Sequence, residues 1–97
     1  MHPEIVISKI KRRIRAKSDK AREEIEDLIE AAKMDMAQEG IYGQPGDPLY
    51  FQALVLYCKA NYGYDENTER FQDAYRSLKI SMALSGDYAE EVPEDGS

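Results

Sequence analysis

Residues 49–66 read LYFQALVLYCKANYGYDE and place four tyrosines and the only cysteine of the chain in or beside one segment with helical periodicity. Within it Gln52 and Lys59 lie seven residues apart and share one narrow stripe, so Leu49, Phe51, Ala53, Leu54, Val55, Leu56, Tyr57 and Cys58 occupy most of the circumference. A helix that is apolar nearly all round has to be enclosed by other elements. The segment is therefore predicted as the central helix of the fold, opening with Asp47 as N-cap and Pro48 in the first turn, where the missing proline amide costs nothing, and running to about Tyr62.

Working outward, every other segment also repeats near 3.6 residues, and none alternates with a period of two. Val6, Ile7, Ile10 and Ile14 form one stripe of a first helix that Pro3 suits as an opening residue, with Lys9, Arg12, Arg13 and Lys17 off the stripe. Ser18 or Asp19 is expected to cap a second helix of about 21 residues that carries Ile25, Leu28, Ile29, Ala32 and Met36 on one side and ends at Gly40. The following GIYGQPGDP is a loop, because its glycines and prolines break helices. Asn67 or Thr68 is expected to open a fourth helix with Phe71, Ala74, Tyr75, Leu78 and Met82 on its inner face and Gly86 as a left-handed C-cap. The expected fold is all-α, a small four-helix bundle-like subunit with a central hydrophobic third helix. Residues 1–88 form the single domain of this reading, and 89–97 form a flexible acidic tail with too few apolar groups to offset the entropy of ordering.

The chain has 97 residues, enough for one modest core, and 33% of them are charged. The net charge of −6 conceals a division: residues 1–22 carry +6 and the remainder −12. Ends of opposite sign invite head-to-tail contact between copies, or a polyanion at the basic end. No stretch approaches the roughly 20 apolar residues of a membrane span, and the N-terminal charges follow the short apolar run, the reverse of a secretory signal, so no membrane partner and synthesis in the cytosol are expected.

A nucleophilic cysteine needs a base, and the sole histidine, His2, stands at the N-terminus, so Cys58 reads as a small core residue. Glu23, Glu24, Glu26, Asp27 and Glu30 lack the Glu-x-x-His partners of a di-metal bundle and read as a solvated face, while DENTERFQDAYR lacks the glycine and ligand spacing of a calcium loop. No catalytic residues, cofactor or metal are expected, and the chain does not read as an enzyme. Lys9, Lys11, Arg12, Arg13, Arg15 and Lys17 form a candidate surface for DNA or for acidic neighbours, since phosphate contacts require only suitably spaced cations. Tyrosines supply an apolar body and a hydrogen-bonding tip, which suits contacts between proteins better than base stacking here, where Lys59 is the only cation between the rings.

EIEDLIEAAKMDMAQEGI, DPLYFQALVLYCKANYGYDE and ERFQDAYRSLKISMALSGDY resemble three successive blocks of the small head-tail connector proteins of tailed bacteriophages and prophages, also called phage DNA-packaging proteins, over residues 10–88. The resemblance is carried by Leu28, Ile29, Ala31, Ala32 and Lys33, by Asp47 and Pro48 with Tyr57, Lys59, Ala60, Asn61, Gly63 and Tyr64, and by the closing Leu84, Ser85, Gly86, Asp87 and Tyr88. It implies a subunit that forms a ring beneath the portal, completes the DNA-filled head and offers a platform for the tail. The implied partners are the portal protein, tail or head-closure proteins, further copies of the chain, and DNA passing non-specifically through the ring. Tyr42, Tyr62 and Tyr64 become candidates for subunit contacts under this implication, and the tail a candidate for ordering on a partner. The density of cations in the first helix departs from the family pattern and leaves an alternative, a small helical DNA-binding or regulatory protein using that helix.

Overall fold

The computed structural model describes residues 3–15, 21–62 and 67–89. Among the described residues the fold consists of four helices in this order, α1 (Pro3–Arg13), α2 (Ala21–Gln38), α3 (Pro48–Asn61) and α4 (Thr68–Ser85), and of no strand. The α3 helix packs against all three others, most extensively against α4 and α2. Its centrality follows from composition: Tyr50, Ala53, Leu54, Val55, Cys58 and Ala60 are buried, on more than one side of the helix. Around it lie Val6, Ile7 and Ile10 of α1, Ile25, Ile29, Ala32 and Met36 of α2, and Tyr75 and Met82 of α4. Two expected inner residues differ: Leu49 is half exposed in the first turn of α3, and Ala74 stands exposed at the edge of the apolar face of α4.

Local chemistry sets the ends. At the start of α3 the Asp47 carboxylate oxygen Oδ2 accepts from the Tyr50 amide at 3.0 Å, an N-cap bond that satisfies one of the orphan donors of the first turn. The α2 helix has 18 described residues and ends at Gln38, where the last turn closes through the expected cap Gly40 at φ 77°. The Gly40 amide donates to Ala37 O at 3.0 Å and the Ile41 amide to Met36 O at 2.8 Å, the paired bonds of a Schellman ending, and the accompanying apolar contact is supplied by Ile41 and Met36, both fully buried. Gly86 is the C-cap of α4 at φ 76°. The predicted caps Ser18 and Asp19 lie outside the described residues, as does most of the predicted tail.

Two polar connections join parts of the chain that are distant in sequence. The Tyr75 hydroxyl donates to Asp35 Oδ2 at 2.7 Å and Lys79 Nζ to the same oxygen at 2.8 Å, with Glu39 also paired to Lys79, so that α4 is tied to α2. The Lys79 ammonium lies 4.7 Å from the centre of the Tyr75 ring, which packs edge-on against Tyr57 at 5.3 Å. Burial works against the charged form of Asp35, yet the bonds from Lys79 and Tyr75 hold its carboxyl below the usual range. In the second connection, the Tyr88 hydroxyl donates to Asp47 Oδ2 at 2.6 Å and the Tyr42 amide donates to Tyr88 O at 2.7 Å, clasping the chain beyond α4 onto the α2–α3 loop.

Candidate functional site

The chemistry-bearing residues divide between the core and two faces. Cys58 is fully buried, and burial pushes its thiol up to about 12, which leaves almost no thiolate at neutral pH. It acts as a packing residue on the central helix, as its apolar surroundings in the sequence predict. The acids Glu23, Glu24, Glu26, Asp27 and Glu30 are exposed on α2, and among the described residues no group of His, Cys, Asp and Glu side chains could hold a metal ion. His2 lies outside the described residues.

The basic face is built by α1. Its apolar stripe is spent on the core, so the intervening positions point outward: Arg12, Arg13 and Arg15 are exposed, Lys9 and Lys11 partly so, and Lys17 lies outside the described residues. Arg15 closes the helix in the left-handed region at φ 58°. Elsewhere the cations are mostly paired: Arg22 with Glu4 at 2.8 Å and Glu26 at 3.2 Å, Lys33 with Glu30, Arg76 with Asp73, and Lys79 with Asp35. Lys9, Lys11, Arg12, Arg13 and Arg15 form no salt bridge among the described residues, so their positive potential is not cancelled locally.

This face contains two grooves. One, of about 480 Å³, lies between α1 and the α2–α3 loop and is lined by Lys9, Arg12, Arg13, Pro45, Gly46, Pro48 and Phe51. The other, of about 410 Å³, is lined by Arg13, Ile14, Arg15, Lys59, Tyr62, Asn67 and Phe71. The fold thus brings Tyr62 together with Arg13 and Arg15, although the sequence separates them by almost fifty residues. Phe51 and Phe71 join the cations there, and Lys59 sits 5.4 Å over the Phe71 ring. Neither phenylalanine was expected at a site, since each falls on a stripe that reads as core; partial exposure on packing is what places them at the grooves. Tyr42 is half-buried in the α2–α3 loop and lines neither groove, and Tyr64 lies outside the described residues.

A further face is apolar. Ile80 is 56% and Leu84 83% exposed, and four residues apart on α4 they point the same way, opposite to buried Met82. The sequence reading missed them because a single isoleucine and leucine beside an apolar stripe look like its margin.

No match is found among curated proteins or among solved structures. The family model for the phage connector protein matches residues 6–89, which takes in all of α2, α3 and α4, the basic portion of α1 and the Tyr88 clasp. With an all-helical fold, a core built on α3, and exposed faces suited to contacts, the chain belongs to the phage connector protein family, whose members act at the head-tail junction.

Proposed function

We propose that the protein is a subunit of a ring that sits beneath the portal, completes the DNA-filled head and provides the attachment platform for the tail, without catalysing a reaction. The family match over residues 6–89 carries this reading. Residues 1–88 serve as the connector domain and 89–97 as an acidic tail. Its partners are further copies of the chain, the portal protein, and tail or head-closure proteins, with DNA passing through the lumen without sequence readout. It is made in the cytoplasm of the bacterial host and ends in the virion at the head-tail interface. Contacts between copies are assigned to Tyr42, Tyr62 and Tyr64 together with the Ile80 and Leu84 face, whose exposed apolar area is of the kind that association covers. The basic face of Lys9, Lys11, Arg12, Arg13, Arg15 and Lys17 faces either the channel or acidic neighbours.

The test is co-expression with the portal protein from the same phage genome, followed by mass photometry and electron microscopy. Closed rings docked on portal particles are expected. A chain that stays monomeric and unbound in the presence of assembled portal overturns the proposal. The cations of α1, which form no salt bridge among the described residues, favour a second reading, a small DNA-binding or regulatory protein. It predicts tight duplex binding by the isolated monomer, falling steeply with salt.

A further inference from the structure

The groove between α1 and the α2–α3 loop presents Lys9, Arg12 and Arg13 around an apolar floor of Pro45, Pro48 and Phe51. None of the three cations pairs with an acid among the described residues. Glu4, the one acid of α1, is engaged by Arg22 at 2.8 Å. Asp47, the acid nearest the rim by sequence, already accepts from the Tyr88 hydroxyl and the Tyr50 amide through Oδ2.

The clasp that occupies Asp47 also decides where the rest of the chain begins. Tyr88 is anchored at both ends, its hydroxyl on Asp47 and its carbonyl on the Tyr42 amide. Asp47 is flanked by Gly46 and Pro48, both of which line the groove. The C-terminal segment therefore leaves the described structure about one tyrosine length from the groove rim. Residues 90–95 read EEVPED, with two acids on each side of Val92 and Pro93. Six residues span up to about 20 Å when extended, sufficient to lie along the groove from that starting point. Glu90, Glu91, Glu94 and Asp95 supply the charges that the groove lacks, and Val92 and Pro93 match its proline and phenylalanine floor.

We infer that residues 90–95 dock in cis into the groove formed by Lys9, Arg12, Arg13, Pro45, Pro48 and Phe51, so that the acidic end of each chain covers its own basic face. The short tether gives the segment a local concentration in the millimolar range, so even weak charge pairs suffice to hold it. The inference stands independently of the ring.

The test compares amide spectra of the full chain and of a chain ending at Ala89, which retains the clasp. At low salt, shift differences are expected at Lys9, Arg12, Arg13, Gly46 and Phe51 but not along the outer face of α2. They should be unchanged by tenfold dilution and lost at about 0.5 M salt, where the Debye length is about 4 Å. Replacing Glu90, Glu91, Glu94 and Asp95 by Lys should reproduce the spectrum of the truncated chain. The doubly exchanged Arg12→Glu, Arg13→Glu chain should release the segment while melting as the parent does, because both positions are exposed. Identical groove shifts with and without the segment overturn the inference. Differences that grow with concentration overturn it as well, since the segment then sits on another copy. Differences that survive both salt and charge reversal also sink it.

Discussion

Replacing Asp47 perturbs two functions of one carboxylate. Its Oδ2 caps α3 through the Tyr50 amide at 3.0 Å and holds the Tyr88 hydroxyl at 2.6 Å, across 41 residues of sequence. Loss of an N-cap side chain costs about 1 kcal/mol. A hydrogen bond to a charged group is worth about 1.5–3 kcal/mol, and the half-exposed position of Asp47 places the Tyr88 bond below that range, at about 1 kcal/mol. Tyr88→Phe should then cost about 1 kcal/mol and Asp47→Ala about 2 kcal/mol, because the alanine loses both bonds. The double variant should cost about 2 kcal/mol, not 3, which leaves a coupling of about 1 kcal/mol. Asp47→Asn, which keeps a good cap but loses the charge, should fall between the parent and the alanine variant. Urea and thermal unfolding followed by circular dichroism read these values, each 1 kcal/mol moving the melting temperature by about 4–8 °C in a domain of this size. The Tyr88 hydroxyl, and then the Tyr50 amide, hold the Asp47 carboxyl below its usual range of about 3.8. A group with a depressed native value contributes stability that is present above its unfolded value and lost as the pH falls through the native one. The coupling should therefore be full at pH 6 and fade below pH 4. Additivity of the two substitutions within about 0.3 kcal/mol at pH 6 refutes the clasp.

Native Cys58 should react with a thiol reagent at pH 8 about a thousandfold more slowly than an unfolded thiol, since moving the value from 9.0 to about 12 cuts the thiolate population by that factor; equal rates sink the buried assignment. Stability should decline between pH 10 and 12, because the Tyr88 hydroxyl, bonded to Asp47 and partly desolvated, is pushed up to about 12 and its contribution is present below its ordinary value and lost as the pH rises; a flat alkaline profile contradicts this. Gly43→Ala should destabilise by about 1–3 kcal/mol in urea unfolding, because the added Cβ would lie 2.7 Å from Tyr50 Cγ in a buried ring. Arg15→Gly should stabilise by about 1 kcal/mol by relieving a left-handed residue that carries a side chain, and an unchanged melting temperature argues against that conformation. Under the proposed ring assembly, Ile80→Glu with Leu84→Glu should leave the subunit fold intact by circular dichroism and remove the rings from mass photometry; rings that persist argue against that face as the contact.

Much of the architecture was readable because it is local. The apolar circumference of 49–62, the stripes of α1 and α2, the start signals at Asp47 and Pro48, and the stop signals at Gly40 and Gly86 act over one or two helical turns, and a cap or a positive φ is set by the residue that adopts it. The ending of α2 is an instance: Gly40 marks it in the sequence, and the Schellman bonds of Ile41 and Gly40 close the helix there after Gln38. Ala74 and Leu49 were placed inward from periodicity, which gives the direction of a side chain and not whether another helix meets it.

Helix number, helix limits, the central position of α3 and the concentration of cations on α1 followed from order along the chain, because hydrogen bonding within helices and the sorting of apolar from charged side chains are short-range effects. Tertiary structure alone decided that Lys79 of α4 meets Asp35, 44 residues away, that Tyr88 meets Asp47, and that Arg13, Arg15, Tyr62 and Phe71 border one groove. Such partners depend on which helix packs beside which and at what rotation. Those quantities come from the fit of whole surfaces, which no single stretch of residues encodes.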